Sequence, residues 1–350
     1  MSSTDPTTAE RDGPETVWLG DGWSTGVGSM PGTEPHEAAA VVAGEVPDLP
    51  HLVELPGRGP GADLVGRAAA LLTDLHVDLQ PSGWRLVDRP GTDERRAHSY
   101  LSHDLDELEG AHQGRTGPVK VQVCGPWTLA AALRLPRGEP VLSDAGAVRD
   151  LVQSLTDGAV QHLDDVRRRL PGARTVLQLD EPSLPAVLAG GIRSSSGARS
   201  FRPVPATTVE EALRGLVDAA GVPVVAHCCA DRPPVATLVR GGATGLSLDL
   251  TRLGGSDVVD ELGEAVDGGV RLLAGVVPST ADGGVAMSDP AGTVEPVRRL
   301  WRRLGLPVEA LRQVAVTPTC GLAGASPDHA RAALRLAAES ARQLAEDPEG

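Results

Sequence analysis

The alternation of short apolar runs with amphipathic stretches constrains the fold of this chain most strongly. Eight apolar, often β-branched runs each end in small, polar or proline residues and lead into a helical pattern. They span residues 24–30, 51–56, 119–126, 175–182, 223–229, 245–250, 271–277 and 313–320. Apolar residues at helical spacing fill 61–77, 145–170, 208–220, 258–267 and 290–304. This pattern predicts an α/β protein with a parallel sheet that helices cover.

Eight such units are the number that closes a (β/α)8 TIM barrel, and 350 residues is an ordinary length for one barrel domain. An open doubly wound sheet is the alternative architecture. The glycine-rich loop at 57–61 lacks the spacing of a dinucleotide-binding turn, and polar residues stand at many strand ends, which favours the barrel. We therefore predict a single (β/α)8 barrel over residues 21–346, preceded by a mobile tail at 1–20.

Charge and hydropathy argue against several functions. The chain has 47 acidic and 32 basic side chains, a net charge of -15, which disfavours binding to nucleic acid. No run approaches the roughly 18 apolar residues of a membrane span, and the first residues lack the features of a secretion signal. Four cysteines are too few for a disulfide scaffold and fit a reducing compartment. We expect a cytoplasmic protein.

Two segments depart from the simple repeat. Residues 57–117 are longer than a minimal crossover and contain Trp84 and Tyr100, so they form either a lid at the barrel mouth or a packing element. A last helix is expected to begin after Ser326, a typical N-cap residue, and to continue to about residue 346.

Polar residues at the predicted strand ends define the candidate active site, because barrel enzymes build their sites at the carboxyl ends of their strands. The candidates are Ser29, Glu54, Asp180, Glu181, His227, Cys229, Asp249 and Cys320. Asp180 and Glu181 are adjacent, so at most one of them points into the mouth while the other holds structure.

Ser29 and Glu54 have alternative interpretations. Ser29 fits a turn residue, and Glu54 fits the partner of a salt bridge with Arg58 or Arg67. Their shared location at strand ends favours a role in the site.

The spacing of His227 and Cys229 indicates a metal site. Two residues apart on a strand, they face the same side, whereas Cys228 faces the other. Cys320 ends the last predicted strand and borders the same mouth, and Asp249 is the candidate fourth ligand of a tetrahedral zinc ion. The alternative is that the cysteines are buried as small apolar residues and that the histidine makes an ordinary hydrogen bond.

At these residues the chain resembles the catalytic barrel of cobalamin-independent methionine synthase, within a larger group that includes uroporphyrinogen decarboxylase and corrinoid-dependent thiol methyltransferases. The resemblance covers roughly residues 26–324 and implies a (β/α)8 barrel. It depends on five motifs: GVGSMP at 26–31, QLDEPSL at 178–184, AHCC at 226–229, SLD at 247–249 and TPTCGL at 317–322.

The resemblance implies zinc on His227, Cys229 and Cys320, with Asp249 at or near the position where the family has glutamate. Zinc would keep the substrate thiol ionised at neutral pH for attack on a methyl group. The implied activity is methyl transfer to the thiol of homocysteine, as in methionine synthesis.

The same resemblance assigns the amino acid part of homocysteine to Ser29, Glu54 and Asp180. The carboxylates would face its ammonium group, with Asp180 as the catalytic residue, and the serine segment would face its carboxylate.

Departures from the family leave the methyl donor open. The chain has one predicted barrel where the long synthases have two, and residues 275–280 lack the histidine that follows the seventh strand in the family. The donor is therefore either a methyl-folate or a methyl-corrinoid protein. The alternatives are a corrinoid-linked methyltransferase for another thiol and a non-catalytic barrel that binds zinc or an amino acid.

Overall fold

A computed structural model of the chain describes residues 18–281 and 288–350. Six parallel strands form one curled sheet in the order β3-β4-β5-β6-β7-β8, and β1 and β2 form a separate antiparallel hairpin. The strands are β1 (His76–Gln80), β2 (Gly83–Val87), β3 (Pro118–Cys124), β4 (Arg174–Asp180), β5 (Val224–Cys228), β6 (Gly245–Asp249), β7 (Arg271–Val277) and β8 (Ala315–Pro318). The six sheet strands match six of the eight predicted ones. Most of the predicted tail, residues 1–17, lies outside the described residues.

Helices precede, separate and follow the strands. They are α1 (Pro35–Glu45), α2 (Leu64–Leu71), α3 (Thr92–Ala111), α4 (Pro126–Ala132), α5 (Ala145–Arg169), α6 (Leu184–Ala189), α7 (Ala206–Ala220), α8 (Val235–Arg240), α9 (Ser256–Asp267), α10 (Pro290–Leu304) and α11 (Pro327–Glu346). Short 3-10 helices span Pro56–Arg58, Pro60–Ala62, Val141–Ser143 and Val308–Gln313. The N-cap of α11 is confirmed, since the Ser326 side chain accepts a hydrogen bond from the backbone N–H of His329. None of the helices in the described ranges has the length and apolarity needed to cross a membrane.

The prediction of one helix over 61–77 is wrong. Helix α2 ends at Leu71, and His76 already opens strand β1. Between them Asp74 adopts a left-handed backbone conformation with φ of 59°, which a continuing helix excludes.

The first two predicted strands make single parallel bridges instead of regular strands. Ser24 bridges to Val316 on β8, Ser29 to Glu54, and His51 to Lys120 on β3. The two segments pack closely against each other, since a Cβ atom at Gly26 would lie 2.3 Å from Cε1 of His51. These segments thus contact both edges of the sheet, while a regular eight-stranded closure stays a prediction.

The two sides of the sheet differ in polarity. Its outer side packs against the helices in a large apolar cluster that includes Val119, Val121 and Val123 of β3. A smaller cluster near the starts of the strands contains Leu19, Leu49, Val176, Val225, Leu273 and Ala315. The alternate residues Lys120 and Gln122 are buried and bond to polar groups of other segments. A polar layer therefore lies on the inner side of the sheet, toward the strand ends that carry the predicted site.

The segment 57–117 packs against the rest of the fold. Helix α3 contacts α1 and α2, and Trp84 of the hairpin is 4% exposed. The backbone of the hairpin exchanges hydrogen bonds with Arg134, from Leu86 N to Arg134 O at 2.8 Å and from Arg134 N to Trp84 O at 2.9 Å. Of the two predicted roles for this segment, the structure favours the packing element.

Candidate functional site

His227, Cys229 and Cys320 come together at the carboxyl end of the sheet. One ligand atom from each residue lies within 4.8 Å of the others, and the two Sγ atoms are 3.5 Å apart. In a tetrahedral zinc site with Zn–S bonds of about 2.3 Å, two sulfurs lie about 3.8 Å apart. The group therefore fits a zinc ion. Cys228 lies in the hydrophobic core, on the opposite side of the strand, as the alternation of side chains predicts.

Hydrogen bonds with Ser247 orient the imidazole of His227. Its Nδ1–H donates to the carbonyl oxygen of Ser247 at 3.0 Å, and the Ser247 hydroxyl lies 3.1 Å from the same nitrogen. The pairing of β5 with β6 sets this contact, because it places His227 beside Ser247. The ring therefore presents Nε2 to the site, which is the arrangement found when a backbone carbonyl fixes a metal-binding histidine.

The two thiols of this group differ in acidity. Hydrogen bonds with Cys229 and His227 lower the pKa of Cys320 to about 4. The bond with Cys320, together with burial, raises the pKa of Cys229. Burial opposes charge on His227, but Cys320 and Asp180 outweigh it and raise the pKa of the imidazole. These shifts favour the thiolate form of Cys320 over that of Cys229, and metal binding would displace the protons that remain on the group.

A cavity of about 250 Å³ adjoins this group. Its lining combines the predicted site residues with apolar side chains: Val27, Gly28, Ser29, Glu54, Pro56, Leu64, Asp180, Pro182, His227, Cys229, Cys320 and Gly321. The structure therefore brings together all the predicted zinc-binding and substrate-binding residues except Asp249.

Two buried carboxyl groups lie on the cavity wall. Asp180 and Glu54 are each 6% exposed. Burial, together with the charge of Glu54, raises the pKa of Asp180 to about 7, although His227 acts in the opposite direction. Burial also raises the pKa of Glu54, against the effects of Arg67 and Lys120. Such a pair suits a cationic group of a ligand, whose charge would favour the ionised carboxylates.

Asp180 is held by a relay that starts at Lys120. The Lys120 Nζ donates to Gln178 Oε1 at 2.6 Å and to the Val27 carbonyl at 2.9 Å. Gln178 Nε2 in turn donates to Asp180 Oδ1 at 2.7 Å and to the Val27 carbonyl at 2.8 Å. Since an ammonium group can only donate, Lys120 fixes which end of the amide faces Asp180.

Sequence reasoning missed this relay. Burial lowers the pKa of Lys120 to about 7, while Asp180 and Glu54 favour its charged form. The available signal was the alternation of polar residues in apolar strands: Lys120 and Gln122 in β3, and Gln178 two residues before Asp180 in β4.

Glu181 points away from the cavity and holds helix α4. Its Oε1 accepts from the backbone N–H of Trp127 at 2.9 Å, and its Oε2 accepts from the N–H and the hydroxyl of Thr128, both at 2.7 Å. Burial raises the pKa of Glu181 to about 7, although these bonds lower it. Of the two adjacent acids, Asp180 is thus the one that lines the cavity.

Ser29 lines the cavity beside Glu54. Its carbonyl accepts from Leu322 N at 2.8 Å, and Met30 N donates to the Glu54 carbonyl at 2.8 Å. A Cβ atom at residue 321 would lie 2.1 Å from the Ser29 hydroxyl, so a larger residue there would displace this side chain. The two predicted strand ends thus meet at the wall of the cavity.

The predicted fourth ligand, Asp249, is not placed with the other three. It lies at the end of β6 as expected, but its Oδ1 accepts from the backbone N–H of Thr251 at 2.9 Å and from the Thr251 hydroxyl at 2.6 Å. The only metal-ligand group found among residues 18–281 and 288–350 contains His227, Cys229 and Cys320. The local turn at Thr251 therefore holds the carboxylate that the sequence interpretation assigned to zinc.

A curled parallel sheet with imidazole, thiol and carboxyl groups at its strand ends has the arrangement of an α/β enzyme. This chain belongs to the family of the cobalamin-independent synthase catalytic domain, whose family model matches residues 23–343. The predicted resemblance is thereby confirmed, and the chain is a member of a methionine synthase-like methyltransferase family. No curated protein matches it significantly.

Solved structures share the fold. A B12-independent methionine synthase from Shewanella sp. W3-18-1, in complex with selenomethionine, is 13% identical with a TM-score of 0.56, over 93% of this chain and 98% of that one. A methyltransferase from Methanosarcina mazei is 13% identical with a TM-score of 0.55, over 94% of each chain. At this identity the comparison establishes the fold alone.

Proposed function

We propose that this protein transfers a methyl group to the thiol of homocysteine, with zinc held by His227, Cys229 and Cys320. The observation that carries the proposal is the meeting of this group with two buried carboxyl groups on one cavity of about 250 Å³. That volume lies below the roughly 300–1,000 Å³ of pockets for drug-sized ligands and suits an amino acid. We also propose one catalytic domain over residues 21–346, closed as a (β/α)8 barrel through its N-terminal bridges.

The protein's own groups set up the thiol end of the site. Zinc, when bound, would supply the Lewis acidity that keeps a thiol with a free pKa of about 8.5 ionised at neutral pH. Ser247 orients the His227 ring, and Cys320 offers a thiolate at low cost because of its depressed pKa. A zinc ion held by these three residues would keep a position open to substrate, as in catalytic zinc sites.

The carboxyl groups set up the other end. Glu54 and Asp180 would bind the ammonium group of homocysteine, and the Ser29 segment would receive its carboxylate. Asp180 is buried and pairs with His227 in the register of β4 and β5. Holding the ammonium there directs the substrate sulfur toward the cysteines, which is the catalytic contribution proposed for Asp180.

We propose a methyl-folate as the donor. Membership in the cobalamin-independent family favours it and gives no support to the predicted corrinoid protein. The sulfur lone pair would attack the methyl carbon, the bond from that carbon to the donor nitrogen would break, and the nitrogen would gain a proton. Since residues 275–280 contain no histidine, that proton must come from another group or from water.

A donor comparison tests this function. Zinc-loaded protein is incubated with homocysteine and either a methyl-folate or methylcobalamin, and methionine is measured by mass spectrometry. We expect methionine from the methyl-folate, and none when Cys229→Ser replaces the wild-type protein. Formation from methylcobalamin alone would overturn the donor assignment. Failure with both donors, while zinc and homocysteine still bind, would favour the non-catalytic binding barrel.

A further inference from the structure

We propose that Arg67 is a positioning residue that acts through Glu54. Residues 57–117 would thereby contribute to the cavity, because Arg67 belongs to this segment. The inference rests on the proposed binding of a substrate ammonium group by Glu54. It concerns a residue outside the cavity lining, on a segment that packs beside the sheet.

Of the two predicted salt-bridge partners of Glu54, Arg67 is the one within ion-pair distance, whereas Arg58 pairs with Asp104. The Arg67 Nε lies 3.6 Å from Glu54 Oε1, and the two side chains are 4% and 7% exposed. The remaining side-chain contact of Glu54 that the structure describes is with the amide of Gln122, at 3.4 Å from Nε2 to Oε1. Without Arg67, Glu54 would keep this long contact and the more distant charge of Lys120, which is itself bound to Gln178 and Val27.

A buried carboxylate anchors Arg67 in turn. Asp104 of helix α3 is 0% exposed and contacts both Arg67 and Arg58. The Arg58 Nη2 lies 2.7 Å from each oxygen of Asp104, and the Tyr100 ring lies under the Arg58 guanidinium, 4.8 Å away. The single negative charge of Asp104 cannot neutralise both arginines. Glu54 is the second carboxyl group in this cluster.

The charge balance of this cluster explains its effect on the cavity. Two guanidinium groups that remain charged when buried face one fully buried carboxylate, so an ionised Glu54 completes two pairs. Burial alone favours the neutral acid, which attracts an ammonium group weakly. Arg67 thus opposes the effect of burial on Glu54 and favours the charged form that an ammonium ligand requires.

The two arginines provide a matched comparison. Both are buried and both bind Asp104, but among the described ion pairs only Arg67 reaches Glu54. Replacing either one leaves Asp104 with the other as its partner. Arg58→Met is therefore the control for loss of packing and charge in the cluster.

The test measures recognition of the amino group. Isothermal calorimetry on the zinc-loaded full chain compares homocysteine with 4-sulfanylbutanoic acid, which lacks the amino group. The wild-type protein is expected to prefer homocysteine. Arg67→Met should lower that preference about tenfold by weakening homocysteine binding, because a poorly held Glu54 no longer supports the ammonium group. Arg58→Met should keep the preference, and Arg67→Lys should restore part of it.

The outcomes separate this inference from the proposed function. A wild-type protein with no preference for the amino group would contradict the substrate assignment itself. A clear wild-type preference that Arg67→Met retains, or that Arg58→Met loses equally, would overturn the role of Arg67. Melting temperature and zinc content verify each variant, and Arg67→Gln, which keeps a donor toward Asp104, replaces the methionine variant if that one does not fold.

Discussion

The two ends of the cavity are built in different ways. At the thiol end, His227, Cys229 and Cys320 contact one another, and their 3.5 Å sulfur separation already approaches that of a zinc site. At the carboxyl end, Glu54 and Asp180 are held through other buried side chains instead of through each other. The thiol end is a group of metal ligands. At the carboxyl end, the positions of the two acids depend on neighbouring side chains, here called supports, such as Gln178.

This difference predicts how each end responds to substitution. A ligand cannot be removed from a three-residue metal group without removing most of its affinity. A support can be removed while the acid it holds remains, so the loss is smaller and affects recognition of substrate more than metal content.

The adjacent cysteines give the sharpest contrast. Cys229→Ser should lose most bound zinc and nearly all methyl transfer, because a hydroxyl is a poor substitute for a thiolate ligand. Cys228→Ser should keep the metal, since Cys228 lies in the apolar core. Metal analysis of both variants by plasma mass spectrometry checks this, and equal zinc retention in the two would rule out the ligand assignment.

The adjacent acids should separate binding from stability. Asp180→Asn should reduce kcat/KM for homocysteine about 100-fold, because the charge opposite the ammonium is lost. Glu181→Gln should lower the free energy of unfolding by about 1–3 kcal/mol, since an amide cannot accept all three bonds of Glu181. Steady-state kinetics and urea unfolding distinguish them. The contrast fails if Glu181→Gln impairs homocysteine binding as much as Asp180→Asn does.

Changing the support of Asp180 should have an intermediate effect. Gln178→Glu replaces the amide that donates to Asp180 at 2.7 Å with an acceptor, so two carboxyl groups would repel each other. We expect about tenfold weaker homocysteine binding by calorimetry with zinc content unchanged. Gln161→Glu, on the exposed face of α5, is the matched control. Loss of zinc in Gln178→Glu would show that the carboxyl end of the cavity affects metal binding at the thiol end.

Substitution of Asp249 should have the smallest effect on zinc binding. Its carboxylate is bound by Thr251, and an asparagine oxygen can accept the same bonds. Asp249→Asn should therefore retain zinc, with affinity reduced less than about threefold in a chelator competition. A loss comparable to that of Cys229→Ser would restore Asp249 to the ligand set.

Local patterns predicted one end of the cavity better than the other. The two-residue spacing of His227 and Cys229 was enough to orient both side chains and to turn Cys228 into the core. The engagement of Asp249 by Thr251 was not predictable, because it depends on the turn that follows β6.

The supports of the acids were predictable only in part. Arg67 was one of two candidate partners of Glu54, and the polar alternation of β3 was the signal for Lys120, but only the packed structure shows that these residues are 4% and 0% exposed. The hairpin at 76–87 was also missed, since the apolar spacing of 61–77 continues across the left-handed turn at Asp74.

The most direct test of the account is zinc-edge X-ray absorption on tag-free protein, with metal content measured on the same sample. The account predicts one zinc per chain with two sulfur neighbours, and a third sulfur when homocysteine is added. Protein that takes up no zinc, even after incubation with it, would contradict the assignment of His227, Cys229 and Cys320 as zinc ligands.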